Sequence, residues 1–204
     1  MDKQARIDEI KAIRQGYQLV QAMQKLSREA CSGDEEAFEV LTHMLEECRE
    51  SEAWHRSSGY CSAVIHAIAQ CASLRSMQTL IRYAKNLPDD IPYGTVELLS
   101  NILPAYRRII MGPVKDLIKA PDGSPARAVG LQTFCNLYLN GALQGADIAF
   151  LQEQIKAFET DSFLTQHAVD LVRLEMAYKE KQAEEDLVAM LKGFLVEQGV
   201  DGDD

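Results

Sequence analysis

The sequence predicts an all-α protein, and three observations carry that expectation. Apolar residues recur at i, i+3, i+4 and i+7 along nearly every segment, the period of one helix face. No segment shows convincing alternation with the period of a strand. The apolar stripes also begin and end at residues that cap and break helices.

The clearest case is the stretch from Ser124 to Phe158. Ser124-Pro125 is a start signal, because serine caps orphan N–H groups and proline at the first helical position loses only an N–H that would stay unpaired. Leu131, Phe134, Cys135 and Tyr138 form one stripe and Asn140-Gly141 stops it; Gly145-Ala146-Asp147 starts a second, with Ile148, Leu151, Ile155 and Phe158. The short link between them predicts an antiparallel helical hairpin.

In chain order, the first thirty residues predict a helix with a weak point at Gly16. Ile10, Ile13, Tyr17 and Val20 form a stripe through that glycine, followed by Leu19, Ala22, Met23 and Leu26. After Ser32-Gly33, Asp34 is placed to cap a helix whose first turn holds Glu35 and Glu36 against the helix dipole and whose core face is Leu41, Met44, Leu45 and Cys48. Ser51 to Gly59 is the least regular stretch of this half. Stripes resume at Cys61, Val64, Ile65 and Ile68, and again at Met77, Leu80, Ile81 and Ala84, until Pro88 and Pro92 force a loop. Val96, Leu99, Leu103 and Tyr106 predict a helix kinked by Pro104, and Gly112-Pro113 a further break before Val114, Leu117 and Ile118. Beyond the Ser124–Phe158 hairpin, Thr160-Asp161-Ser162 restarts the pattern with Leu164, Ala168, Leu171 and Leu174. A last, separate helix uses Leu187, Met190, Leu191 and Phe194.

With 204 residues the chain can bury a self-sufficient core. The expected organisation is a single all-helical domain over 1–204, with 1–16 as an N-terminal helical extension and 199–204 as a frayed acidic tail. A net charge of −10 opposes generic binding to nucleic acid phosphates or an anionic membrane. The N-terminus lacks the apolar centre of a secretory signal, and no apolar run approaches membrane-spanning length. The cysteines, five in number, are odd and four fall on apparent apolar faces, which predicts buried, reduced thiols and a cytoplasmic location.

The stripes recur. The first apolar residue of each second helix (Leu41, Met77, Val114, Ile148, Leu187) returns after 36, 37, 34 and 39 residues, the spacing of stacked helical hairpins that cannot bury their apolar faces alone. On this pairing of helices, on Pro104 within a first helix and on the small-residue turns between partners, the chain resembles the HEAT and armadillo-like α-α superhelices from about Tyr17 to Gln198. It carries no regular asparagine ladder and no tetratricopeptide signature. The resemblance implies a right-handed α-α superhelix of about five antiparallel hairpins offering one face to a partner. Spacing alone leaves a compact multi-helix bundle as the alternative.

No motif names a reaction. Phosphate-binding glycine loops, H-E-x-x-H and C-x-x-C pairs are absent. Glu52 and His55 have the E-x-x-H spacing of di-iron bundles but lack a second copy. Glu39, His43 and Glu47 share a helix face inside an acidic run, which predicts surface electrostatics. Glu175 lies at a stripe edge, where a paired glutamate is the simpler expectation than a catalytic one. The one change of sign is central: from Arg75 to Lys119 there are seven basic residues against four acidic, whereas Asp147 to Asp204 holds five against fourteen. These observations predict a non-enzymatic scaffold or adaptor that binds another protein without a cofactor, through Arg82, Tyr83, Tyr93, Tyr106, Arg107, Arg108 and Lys115, since arginine and aromatic residues carry interface energy. Two alternatives stand beside it. One is the DNA-glycosylase-like enzyme implied by some HEAT-like proteins, with phosphates at Arg107-Arg108. The other is a bundle holding a metal or small ligand. A homo-oligomer is open, and internal charge compensation is the competing explanation of the basic island.

Overall fold

Helix start signals in this chain act where the sequence places them. Asp34 accepts a hydrogen bond from the Ala37 N–H at 3.1 Å, Ser124 caps Arg127, and Ser73 forms a reciprocal capping box with Ser76. The structure is a computed structural model describing residues 3–13, 16–50, 59–156 and 162–197, with backbone only for Arg108 and 193–197. These residues form ten α-helices and one 3-10 segment, and no strand occurs among them. The helices are α1 Lys3–Lys11, α2 Gly16–Cys31, α3 Glu35–Glu47, α4 Tyr60–Gln70, α5 Leu74–Lys85, α6 Tyr93–Ile102, α7 Met111–Ile118, α8 Pro125–Leu139, α9 Gly145–Lys156 and α10 Phe163–Glu197.

Two layers result. In the first, α2, α4, α6, α8 and α10 each touch the next; in the second, α3 touches α5 and α5 touches α7, while α1 lies on α3. Contacts between successive members keep a steady offset along the chain: Ser27 Oγ donates to the Ala67 carbonyl, 40 residues on, and Asn136 Nδ2 to the Ser100 carbonyl, 36 residues back. Corresponding helices therefore run in the same direction.

The centre is α8. Eleven of its residues from Pro125 to Leu137 are buried, so it has no broad solvent face, and it is walled by α5, α6, α7, α9, α10 and the 3-10 segment. A helix apolar nearly all round is stable only inside such a shell. At Gly130 it comes close to α7. A Cβ at Gly130 would stand 2.7 Å from the Ile118 backbone nitrogen and 2.9 Å from Leu117 Cβ, so glycine sets how near the two helices come.

The structure corrects the sequence reading at four places. The stripe through Gly16 does not continue: α2 begins at Gly16, and Tyr17 and Val20 are exposed while Ile10 is buried. Pro104 does not kink a continuous helix. Leaving α6, the chain passes into the 3-10 segment Leu103–Ile110, which breaks at Arg107 (φ 46°, ψ −121°). Proline has no N–H to give the Ser100 carbonyl, and Asn136 supplies the missing donor at 2.9 Å. The two last helices expected around Leu171 and Leu187 are one 35-residue helix, because Met176 to Glu185 contains good helix formers and no glycine, proline or asparagine to stop it. The fifth hairpin is thus absent.

The fourth correction concerns the cysteines. Cys31 and Cys71 form a disulfide with Cα atoms 4.7 Å apart, because the turns ending α2 and α4 lie side by side and leave both residues at the more open end of the contact. Cys48, Cys61 and Cys135 are free and buried. Burial pushes the Cys135 thiol up to about 12, and the hydrogen bond to Cys61 together with burial holds Cys48 far above the ordinary thiol range. Glu52 and His55 lie outside the described residues.

Two stability outcomes follow from this packing. Gly130→Ala is expected to cost about 1–3 kcal/mol, since the new methyl meets backbone rather than a yielding side-chain end; an unchanged urea midpoint would refute the close α7–α8 contact. Reduction of the disulfide, or Cys31→Ser, releases a loop of 40 residues and is expected to lower stability by about 2–4 kcal/mol, seen calorimetrically as a melting temperature several degrees lower.

Candidate functional site: a two-signed groove between α3 and α5

On α3, Glu35, Glu39 and Glu46 follow one another at offsets that keep them on a single side of the helix. On α5, Arg75 and Arg82 are separated by two turns and share a side in the same way. Because the two helices run parallel, the rows face each other: Arg75 pairs with Glu35 near the helix starts and Arg82 with Glu46, at 3.9 Å, near their ends. Between these two clasps runs a groove of about 430 Å³ lined by Lys3, Phe38, Glu39, Thr42, His43, Glu46, Arg75, Gln78, Thr79 and Arg82.

Each lining side chain is positioned by its neighbours. Phe38 is buried, and the Arg75 guanidinium lies over its ring at 4.2 Å. Thr42 donates to the Phe38 carbonyl at 2.9 Å. Lys3 reaches from α1 to Glu39 at 3.7 Å, and His43 lies 3.6 Å from Glu47, which Lys11 also contacts. These ion pairs range from part-buried at Lys11–Glu47 to largely exposed at Arg75–Glu35, and the exposed ones individually contribute under about 1 kcal/mol. Their effect is to order long side chains along the walls. The result is an acidic wall and a basic wall, with Thr42, Gln78 and Thr79 also in the lining. Among the described residues no three His, Cys, Asp or Glu side chains converge to hold a metal ion.

Of the seven residues singled out by sequence, only Arg82 lines this groove. Tyr83 and Tyr106 are corrections. Tyr83 is fully buried with its hydroxyl donating to the Cys48 carbonyl at 3.2 Å, and Tyr106 is 8% exposed and bonded to Ser76, so neither ring is presented to a partner. Tyr93 is half-buried, receives the Gln132 amide and meets His167 edge-on. Lys115 spans α7 and α9, with Asp147 at 2.7 Å and the Phe150 ring at 5.1 Å. Arg107 is exposed on the strained turn, and the Arg108 side chain lies outside the description. The basic residues of the centre are largely engaged by carboxylates of neighbouring helices: Lys85 likewise approaches Asp116 at 4.0 Å. Glu175 is exposed. What sequence reasoning missed is the pairing of rows: the α3 glutamates and α5 arginines recur 36 and 40 residues apart, close to the repeat spacing, and that coincidence was the available signal.

Comparison with protein-family models, with curated proteins and with solved structures returns no match to this chain.

In the core, burial pushes the Tyr83 phenol above its ordinary value of 10.0, with Cys48 adding to the effect, and burial does the same for Tyr60. Below pH 10 these groups are neutral in both folded and unfolded chains and add no pH dependence. Above it the unfolded chain loses their protons while the folded chain keeps them, so stability falls as pH rises. Tyrosinate absorbance is therefore expected to appear in two stages, the later one coincident with loss of helical circular dichroism; a single early stage with helicity retained would contradict the burial.

Proposed function

We propose that this chain is a non-enzymatic helical-repeat scaffold, of right-handed α-α superhelical form, that binds another protein through the α3–α5 groove. The observation that carries the reading is the facing of an acidic row by a basic row across an ordered cleft. Support for the repeat form comes from parallel corresponding helices and contacts at offsets of 32 to 40 residues. The ligand that suits such walls is a peptide segment bearing both acidic and basic side chains. The mixed lining favours it over the glycosylase-like alternative, since a nucleic acid backbone in this groove would face Glu39 and Glu46 as well as the arginines.

A charge swap separates binding from internal compensation. Glu46→Arg combined with Arg82→Glu reverses the sign of the clasp, at the cost of the Arg49–Glu46 pair at 2.5 Å. Peptides selected from a display library on the wild-type chain are expected to bind the swapped chain at least tenfold more weakly, with helical circular dichroism retained. Equal binding by both forms would sink the groove as the site, and retention of nuclease-sensitive nucleic acid in place of peptides would turn the assignment to the glycosylase-like alternative.

A further inference from the structure

One side of the Cys31–Cys71 bridge opens to solvent. Cys31 is exposed at the end of α2 and Cys71 is half-buried just past α4, whereas Cys48, Cys61 and Cys135 are buried. An external thiol therefore meets Cys31 before any other cysteine of the chain, and access of this kind separates exchangeable disulfides from inert ones. The site is furnished for two thiols as well as for one bond. Ser27, buried one turn before Cys31, donates through its hydroxyl to the carbonyl of Ala67, one turn before Cys71, at 2.8 Å. This contact joins α2 to α4 independently of the sulfurs. Ser27 Oγ also lies 3.7 Å from Cys31 Sγ, while Cys71 Sγ lies 3.8 Å from the Ser27 carbonyl and 3.9 Å from that of Ala67. Each S–H of the opened bridge thus has an acceptor in place. The backbone beside the bridge is strained: Ala72 holds φ at 46° directly before the Ser73 cap, in the position that Gly33 takes before Asp34. A side chain raises the energy of such a turn, and strain of this kind gathers at sites that change state.

We infer that Cys31–Cys71 is a thiol–disulfide exchange site for low-molecular-weight thiols, with Cys31 the sulfur that is attacked and Cys71 the sulfur that is released. In the reductive direction a thiolate of a dithiol reductant attacks Cys31 Sγ and the S–S bond breaks. Cys71 departs as a thiolate, takes a proton from solvent, and donates it to the Ser27 or Ala67 carbonyl. The reductant's second thiol, deprotonated, then attacks its own first sulfur in the mixed disulfide and frees Cys31, which is protonated in turn. The chain has gained two electrons and two protons, and the reductant has become a disulfide. In the oxidative direction the Cys31 thiolate attacks an external disulfide and expels one thiolate; Cys71 attacks Cys31 Sγ of the mixed disulfide and expels the other. Both directions pass through an adduct on Cys31. The Ser27–Ala67 hydrogen bond keeps α2 and α4 docked throughout.

Dithiothreitol on the full chain under native conditions tests the site, with each cysteine followed by alkylation and peptide mass spectrometry. Opening is expected at a rate proportional to dithiothreitol concentration, with helical circular dichroism retained. Alkylation of Cys31 is expected to run at least about tenfold ahead of that of Cys48, Cys61 and Cys135, whose burial makes them internal reporters of unfolding. Labelling of all five together, or a rate independent of dithiothreitol, shows that the bridge is reached only through global unfolding and overturns the proposal. Glutathione disulfide reads the two roles. Cys31 in Cys71→Ser is expected to form the mixed disulfide at least about tenfold faster than Cys71 does in Cys31→Ser; equal rates, or a faster Cys71, overturn the assignment. The wild-type chain, reduced and then freed of dithiothreitol, gives the same answer without substitution. Glutathione disulfide is expected to close the 31–71 bond with release of two glutathiones, through a transient adduct on Cys31. An adduct on Cys71 instead overturns the roles, and a folded chain that does not close overturns the exchange site.

Discussion

Everything in this fold is arranged so that α8 can be covered. A helix with almost no polar face has no stable position at a surface, and burying it requires neighbours on all sides. Helices α5, α6, α7, α9 and α10 and the 3-10 segment supply them, each touching α8. The distance of closest approach within that shell is fixed by a hydrogen atom in place of a side chain at Gly130, which brings the backbone of α8 nearly onto that of α7. Buried polar groups are accommodated in the same way: Gln132 and Asn136, one turn apart on α8, meet the hydroxyl and carbonyl of Ser100, joining α8 to α6 where proline has removed a backbone donor.

Away from α8 the same core continues, with Val40, Leu41, Met44 and Leu45 of α3 and Leu80 and Ala84 of α5 fully buried. Rows of charged side chains on α3 and α5 enclose the groove. Their alignment is reinforced from outside the groove by the covalent link between Cys31 and Cys71, set a few residues before each helix begins. The walls are held by their buried apolar residues and by this bond, which leaves the groove side chains free to exchange internal partners for external ones. Clusters of half-exposed, mutually paired charges are well suited to that exchange, because little is lost when one carboxylate replaces another.

Much of the fold was legible from periodicity and punctuation. Asp34, Ser124, Asn140 and the prolines at 88 and 92 mark helix ends because capping and breaking are local events that three or four residues decide. The errors occurred where a nonlocal fact ruled. Tyr83 and Tyr106 have an amphipathic side chain that serves a surface or a core equally well, and only the placement of the Cys48 carbonyl and Ser76 decides between them. Pairing of Cys31 with Cys71 depends on two turns 40 residues apart becoming neighbours. The groove was hidden for the same reason: each wall is an unremarkable charged helix face, and the site exists only once the two are brought together. The long α10 was missed for a different reason, since an apolar stripe that lapses and resumes looks like two helices when it is one helix leaving the body.

The disulfide also changes how the chain would respond to mechanical load. Drawn out from its two ends, a chain of this kind lengthens by the contour of whatever segment is released, and the segment between Cys31 and Cys71 is withheld while the bond lasts. Those 40 residues correspond to roughly 140 Å of extended chain. All of α3 and all of α4 lie within the withheld segment, whereas α2 ends at its first residue, so the acidic wall of the groove would keep its length under tension while α5 to α10 could still be paid out.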